Sequence, residues 1–314
     1  MKISVILCTV NRSQSLATTL DSIARSTMPD LVEWEVLIVD NNSTDDTLHV
    51  AQSFCLRDPL HFRYVFEPAS GKSNALNRGV REARGGVLAF TDDDVTVEPA
   101  WISNLTANLH DGFWVGAAGR TLPQPPFEVP SWITPSRPHA LAPLAIFDPP
   151  LESGPLHIPP YGNNMAFRRT VFERYGGFRT DLGPGLRAGA PQKSEDSDFG
   201  NRLLSAGEHL RYEPSAVVYH AVPPHRVQES YFLSWWFDKA RADIRARGAQ
   251  PAVRWLVAGV PLRNLGRLGR WTMSWLFTAE PSLRFENKTK VWINWGEIVE
   301  THRQSRSPAR RSKD

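Results

Sequence analysis

Cysteine is nearly absent from this 314-residue chain: Cys8 and Cys55 are its only two. Two thiols make neither a disulfide framework nor a cysteine zinc site, and we read them as reduced, buried groups of a cytosolic protein. Long apolar runs are lacking too. The longest spans residues 255–262, whereas a membrane-spanning helix needs about 20 apolar residues, so no transmembrane segment is expected. The first residues follow a strand pattern and show no charged head with an apolar core, so no cleaved secretory signal is expected. Internal repeats are absent. No G-x-S-x-G elbow is present, which removes one common nucleophile motif.

An apolar content of 41% with 22% charged residues suits a folded protein of one large domain or two small ones. The net charge of +3 conceals a split. Residues 1–238 hold 20 Lys+Arg against 27 Asp+Glu, whereas residues 239–314 hold 16 against 6. A basic end on an acidic body points to an anionic contact for that end: membrane surface, nucleic acid or polyanion.

Apolar, β-branched runs at Ile3–Thr9, Trp34–Asp40, Phe62–Phe66 and Gly86–Phe90 read as buried strands. Helical patterns separate them, from Ser13, from Thr44 and over 71–84, and another covers 98–110. A fifth strand is expected over Phe113–Gly119, then short strands at Asn164–Phe167, Leu210–Tyr212 and Ala216–Tyr219. Strands alternating with helices predict an open, mostly parallel α/β sheet. Ligands of such sheets bind beyond the carboxyl ends of the strands, here Thr9–Arg12, Asp40–Ser43 and Asp92–Asp94. Residues 121–160 carry 12 of the 25 prolines and read as an irregular insertion.

Three consecutive aspartates at a strand end repel one another unless a cation or donors compensate. Mg²⁺ or Mn²⁺, held by one or two carboxylates and by phosphates, does this well; a solvated acidic turn is the other reading. A second acidic pair, Glu195-Asp196, opens a helix predicted over 195–206. Capping accounts for such residues, but two acidic centres also suit a division between metal binding and general base.

SVILCTVNR at 4–12, VLIVDNNSTDDT at 36–47, GKSNALNRG at 71–79 and FTDDDV at 90–95 are followed by GNNMAFRR at 162–169, GGF at 176–178 and SEDSDFGNRLLSAG at 194–207. In this order they resemble the bacterial family 2 glycosyltransferases. The resemblance implies the GT-A fold, a Rossmann-like, mostly parallel open sheet with helices on both faces, here with a C-terminal helical extension. It implies inverting transfer of a sugar from a nucleoside diphosphate donor, with Mn²⁺ or Mg²⁺. Thr9, Asn11 and Arg12 would line the nucleotide pocket, and Asp40 would accept from the base, typically uracil N3–H. Lys72 and Asn77 would lie near ribose and diphosphate. Asp92 and Asp94 match D-x-D, with Asp94 the direct metal ligand, Asp92 a further one, and Asp93 in the middle position of the nucleotide site. Asp196 would be the base, Glu195 would position it, and His220 matches a further metal ligand of some relatives. Gly71, Gly183, Gly185 and Gly189 would let loops close over the donor.

The resulting division is a catalytic domain over 1–225, a basic, tryptophan-rich helical extension over 226–302 and a disordered basic tail over 303–314. Seven of eleven tryptophans lie between Trp235 and Trp295. On a helical wheel of 261–277, Arg263, Arg267 and Arg270 oppose Leu262, Leu265, Leu268, Trp275 and Leu276. This pattern suits an anionic membrane interface through 251–277, and equally a helix packed on the catalytic domain. The expected location is cytoplasmic, peripheral on the inner face of the plasma membrane, with a glycan or lipid-linked acceptor and no nucleic acid partner. A silent nucleotide- or glycan-binding module on the same fold is the alternative; retention of both acidic centres argues for the enzyme. Arg267–Trp271 resembles the R-x-x-R-W motif of processive synthases but lies too far from Glu195-Asp196, and single addition is expected.

Overall fold

Strand β1 (Lys2–Thr9) opens the chain of the computed structural model, and α1 (Ser13–Ala24) returns along it. The structure describes residues 2–29, 32–110, 112–134, 140–149, 152–185, 193–247 and 256–306. Next come β2 (Glu33–Asp40), α2 (Thr47–Arg57), β3 (Phe62–Phe66), α3 (Lys72–Glu82), β4 (Val87–Asp92) and β5 (Val95–Val97). Then follow α4 (Trp101–Thr106), β6 (Gly116–Pro123), β7 (Gly154–Leu156), β8 (Asn164–Arg168), α5 (Arg169–Tyr175), α6 (Glu195–Ser205) and β9 (Leu210–His220). The described chain ends with α7 (Glu229–Arg247), α8 (Leu262–Phe277) and α9 (Pro281–Arg306).

The main sheet runs β3-β2-β1-β4-β8-β6-β9-β5, with β7 on β9. Its first four strands are parallel, and β6 is parallel to β9. Strand β8 is antiparallel to β4 and β6, and β5 and β7 are antiparallel to β9. Alternation along β1 divides the core. Ile3, Val5 and Leu7 pack with Leu16 and Leu20 of α1, Phe54 of α2 and Ile102 of α4. Ile6 and Cys8 face Ala75 and Leu76 of α3, Phe172 of α5 and Phe199 of α6. Helices thus cover both faces, as the sequence pattern predicts.

Several boundaries differ from the sequence expectation. Helix α2 begins at Thr47 and not at Thr44, because Asp45 takes the Thr47 N–H (3.0 Å) as well as the Ser13 N–H (3.1 Å). Helix α4 covers 101–106 of the expected 98–110. The expected strand at 113–119 lies at 116–123, and the two expected short strands are one, β9, whose register with β6 slips between Gly119 and Arg120. Asn164 fills that irregularity. Its Nδ2 donates to the carbonyls of Arg120 (2.9 Å) and Ala216 (2.8 Å), and its Oδ1 accepts from Trp101 Nε1 (2.8 Å). Gly119 makes room: a Cβ there would lie 2.2 Å from the Ala216 oxygen.

The chain forms two compact units, one of Met1–Pro126, Ala145–Leu186 and Glu195–Ala221, the other of Phe127–Leu144, Arg187–Ser194 and Val222–Asp314. The proline-rich stretch is therefore shared, and its ordered pairing includes a bridge between Thr121 and Phe147. In the second unit Trp132 meets Phe232 (4.9 Å) and Phe285 (4.5 Å) edge-on. Glu300, buried on α9, takes Arg245 (3.3 Å) and Arg241 (3.6 Å) of α7. Residues 303–306, expected in the disordered tail, complete α9, and 307–314 lie outside the described residues.

Replacing Asn164 by leucine would leave an indole N–H and two carbonyls unpaired in the core. Asn164→Leu is expected to destabilise the protein by about 3 kcal/mol, read from urea unfolding curves.

Candidate active site

The carboxyl ends of β1 and β2 are joined by side chains that hold polar loops in place. Asn11, at φ 51°, accepts the Thr44 N–H (2.7 Å) through Oδ1, while its own N–H donates to Ser43 Oγ (3.0 Å). Asp40 is buried and accepts from the Ser43 N–H (2.9 Å) and the Tyr64 hydroxyl (2.9 Å). Burial, with Asp40 beside it, pushes the Tyr64 hydroxyl up to about 12. Asn41 receives the Gly71 N–H (2.8 Å) and donates to the carbonyls of Glu67 (2.9 Å) and Ala69 (2.8 Å), so it shapes the approach to α3.

The aspartate run leaves β4 at Asp92, and each carboxylate meets a cation. Lys72 Nζ is paired with Asp92 Oδ1. Arg12 Nη1 lies 3.3 Å from Asp93 and 2.5 Å from Asp94. Strand β5 then pairs with β9 so that Val95 faces His220, which brings the buried His220 Nε2 to 3.5 Å from Asp94 Oδ1. Burial raises Asp93 to about 7, against the pull of Arg12. Burial acts on Asp94 too, but His220 and Arg12 outweigh it and hold Asp94 below the usual carboxylate range.

Helix α6 begins with the second acidic pair. Asp196 accepts the Gly162 N–H (2.8 Å) on one oxygen and the Ser197 N–H (2.6 Å) on the other. Glu195 is buried, and a Cβ on Gly183 would come within 3.1 Å of its carboxylate. Burial first and the charge of Asp196 second raise Glu195 to about 7, while Lys72 opposes the shift. Lys72 is the group common to both centres. Burial alone would lower its pKa, but Asp92, Glu195 and Asp196 outweigh burial and raise it.

The described part of the loop after Phe178 is stitched to the start of α3 at Leu182 and Pro184. Ser73 Oγ donates to the Leu182 carbonyl (2.9 Å) and the Lys72 N–H to that of Pro184 (2.9 Å). Gly183 and Gly185 supply the left-handed backbone, at φ 95° and 82°, and a Cβ on Gly185 would lie 3.1 Å from Gly71. Gly189 lies outside the described residues. Asn77, expected near the diphosphate, has another use: its amide donates to the Phe178 carbonyl (2.7 Å) and accepts the Phe178 N–H (2.8 Å). The structure therefore brings Arg12, Lys72, Asp92, Asp93, Asp94, Glu195, Asp196 and His220 together, with Thr9 buried beside them. It places Asn11 and Asn77 in loop-holding roles.

A family model described as Glycosyl transferase family 2 matches residues 4–176, more than half of the chain. The chain belongs to glycosyltransferase family 2. This transferase is 26% identical over 236 residues to the succinoglycan biosynthesis protein ExoM of Rhizobium meliloti, covering 75% of this chain and 70% of that one. It is 27% identical over 259 residues to the glucosyl-dolichyl phosphate glucuronosyltransferase of Haloferax volcanii, covering 78% of each. Among solved structures, the fold resembles a mannosyltransferase from Pyrobaculum calidifontis in complex with GDP-Man and Mn²⁺ (TM-score 0.64, 19% identity, 97% of this chain and 88% of that one). It also resembles TarS 1-349 of S. aureus in complex with UDP (TM-score 0.54, 16% identity, 98% and 93%). The fold is GT-A, a mixed, mostly parallel sheet followed by C-terminal helices.

Among the described residues of the transferase, no three of His, Cys, Asp and Glu form a ready metal cage. The donor set nevertheless fits a hard divalent cation. Asp94 and His220 offer an oxygen and a nitrogen side by side, and such ions keep positions for substrate phosphates. Asp92, expected as a further ligand, is paired with Lys72 Nζ. Motif reading gave no separate part to Asn41, named only within the Asp40–Ser43 turn, nor to Asp45, Tyr64 or Gly162. The first two stand in the DNNSTDD block and Gly162 opens the GNNMAF block, so a polar turn was legible but its partners were not.

Glu195 rises from an ordinary 4.5, and Asp93 from 3.8, each to about 7. The folded state therefore binds more protons than the unfolded chain between these values, and stability falls as pH rises through that window. Glu195→Gln and Asp93→Asn are each expected to remove part of this slope, read as melting midpoints of the metal-free protein at pH 5, 6 and 7.

Proposed function

We propose that this enzyme is an inverting, divalent-metal-dependent transferase that moves a sugar from a nucleoside diphosphate sugar, a UDP-sugar foremost, to a hydroxyl acceptor. The observation that carries the reading is Lys72: one half-buried cation is paired with Asp92 at the end of β4 and lies in the field of Glu195 and Asp196 at the start of α6. Two acidic centres about 100 residues apart in sequence thus share one space, as donor activation and acceptor deprotonation require.

Asp196 is the base. Its two oxygens are aimed by the Gly162 and Ser197 N–H groups, and it takes the proton of the acceptor hydroxyl as that oxygen attacks the anomeric carbon. Attack opposite the diphosphate inverts the centre in one displacement. Glu195, raised to about 7, positions the helix start and holds a proton near neutrality. Lys72 and Arg12 exchange part of their carboxylate pairing for the oxygens of the leaving diphosphate. Asp94 and His220 would hold Mn²⁺ or Mg²⁺, which when bound supplies Lewis-acid stabilisation of the diphosphate charge. A carboxylate offers about four lone-pair sites; Ser43 and Tyr64 use two of those on Asp40, which suits a further contact with uracil N3–H.

The relatives named for succinoglycan biosynthesis and for glucosyl-dolichyl phosphate support cell-surface glycan or glycolipid synthesis with a glycan or lipid-linked acceptor. The neighbours holding GDP-Man with Mn²⁺ and holding UDP support a nucleotide donor. We place the reaction at the cytoplasmic side of the membrane that carries the acceptor. No described helix is long and apolar enough to cross a membrane.

Thermal unfolding with UDP, GDP, dTDP and CDP, each with and without Mn²⁺, tests donor binding; a ligand at 100 times its Kd adds about 2.7 kcal/mol of stability. One nucleotide is expected to raise the midpoint, mainly with metal, and His220→Ala to reduce the metal-dependent part. Asp196→Asn is expected to keep the nucleotide shift and to lower transfer by about 10³-fold. Transfer at the wild-type rate in that variant would reject the assignment, and no shift with any nucleotide would favour a silent glycan-binding module.

A further inference from the structure

Helix α8 carries three arginines and no acidic residue, and of its 16 residues only Asn264 is buried. One side faces α9: Trp275 meets Trp292 at 6.0 Å, and Lys290 Nζ lies 4.4 Å over Trp271. The opposite arc is apolar and open. Leu262, Leu265, Met273, Leu276 and Phe277 share about 120° of the helix at about 100° per residue, and their exposure runs from 37% at Leu265 to 77% at Phe277. Gly266 and Gly269 fall within the same arc, and a Cβ on either would meet nothing within 4 Å. Arg263, Arg267 and Arg270 follow along one flank of the stripe.

This differs from the simple wheel of the sequence, which set Trp275 and Leu268 beside the other leucines. Packing against α9 removes Trp275 from the open face and leaves Leu268 half-buried. What remains is narrower and exposed along its whole length. An exposed Phe and Met with three leucines costs free energy in water unless something apolar covers them.

We propose that this arc of α8 lies in the headgroup region of an anionic lipid bilayer, with the leucines, Met273 and Phe277 entering the acyl boundary and Arg263 and Arg270 reaching lipid phosphates, while Arg267 stays paired with Glu297 of α9. The charge pattern selects this occupant. A second copy of α8 would bring arginine against arginine with no acid on the helix to offset them. A nucleic acid would use the arginines but leave the apolar stripe in water. The proposal concerns binding alone and does not depend on the transfer chemistry.

The test is flotation of the full chain with phosphatidylcholine vesicles, with and without phosphatidylglycerol. Wild type is expected to float with the anionic vesicles, and less so as salt rises. The triple variant Leu265→Glu, Met273→Glu, Phe277→Glu is expected to lose at least about tenfold in vesicle affinity, with unchanged circular dichroism and melting midpoint. Arg263→Glu with Arg270→Glu is expected to lose the preference for phosphatidylglycerol. Wild type that floats with neither vesicle, or a triple variant that floats like wild type, would overturn the proposal. A triple variant that only converts a dimer to a monomer in sedimentation would assign the face to a second copy and overturn it as well.

Discussion

Five carboxylates, Asp92, Asp93, Asp94, Glu195 and Asp196, crowd the carboxyl end of one sheet, and their repulsion must be offset before the fold can close there. Lys72 and Arg12 supply that offset. Lys72 pairs with Asp92 and lies in the field of Glu195 and Asp196, while Arg12 takes Asp93 and Asp94. Two cations against five carboxylates leave the compensation incomplete, and burial, the larger cause, pushes Glu195 and Asp93 up to about 7. A site left short of positive charge is suited to receive a metal ion and, with it, a diphosphate. On the proposed function, the repulsion that strains the site is also what would draw a metal ion to it.

Much of the rest of the first unit serves to hold those charges in register. Lys72 begins α3, and its backbone N–H is tied to Pro184 while Ser73 is tied to Leu182. Asn41 holds Gly71 immediately before the helix. Asn77, one turn further, grips Phe178 at both its N–H and its carbonyl. The glycines of this loop work as close-packed contacts: Gly183 lies against Glu195, and a Cβ on Gly177 would lie 2.3 Å from Asn77 Oδ1. Asn164 does the equivalent at the β6–β9 irregularity, below the strand end that delivers His220.

The second unit obeys a different balance. Its helices α7 and α9 meet around Glu300 with Arg241 and Arg245, and Gly296 allows the Phe237 carbonyl to approach. These contacts consume basic residues that, in sequence, belonged to an undivided positive end. On α8, Arg267 is taken by Glu297 of α9, while Arg263 and Arg270 lie beside the apolar stripe.

The sequence by itself determined the α/β class, the position of the early strands and the acidic strand end, because burial on both faces writes itself as continuous apolar runs and a ligand site as the polar residues that end them. It also marked both acidic centres, since D-x-D and Glu-Asp are local spellings. Only the tertiary structure decided which charges meet. That Lys72 joins Asp92 to α6, that His220 reaches Asp94 through the β5–β9 pairing, and that Asn77 holds a loop all depend on strand order and register. The same is true of α8, where the wheel gave the apolar residues and packing on α9 chose which of them stay in the open. Periodicity records one element's own faces; contact between distant elements is set by the geometry that closes the core, and no single stretch of chain encodes it.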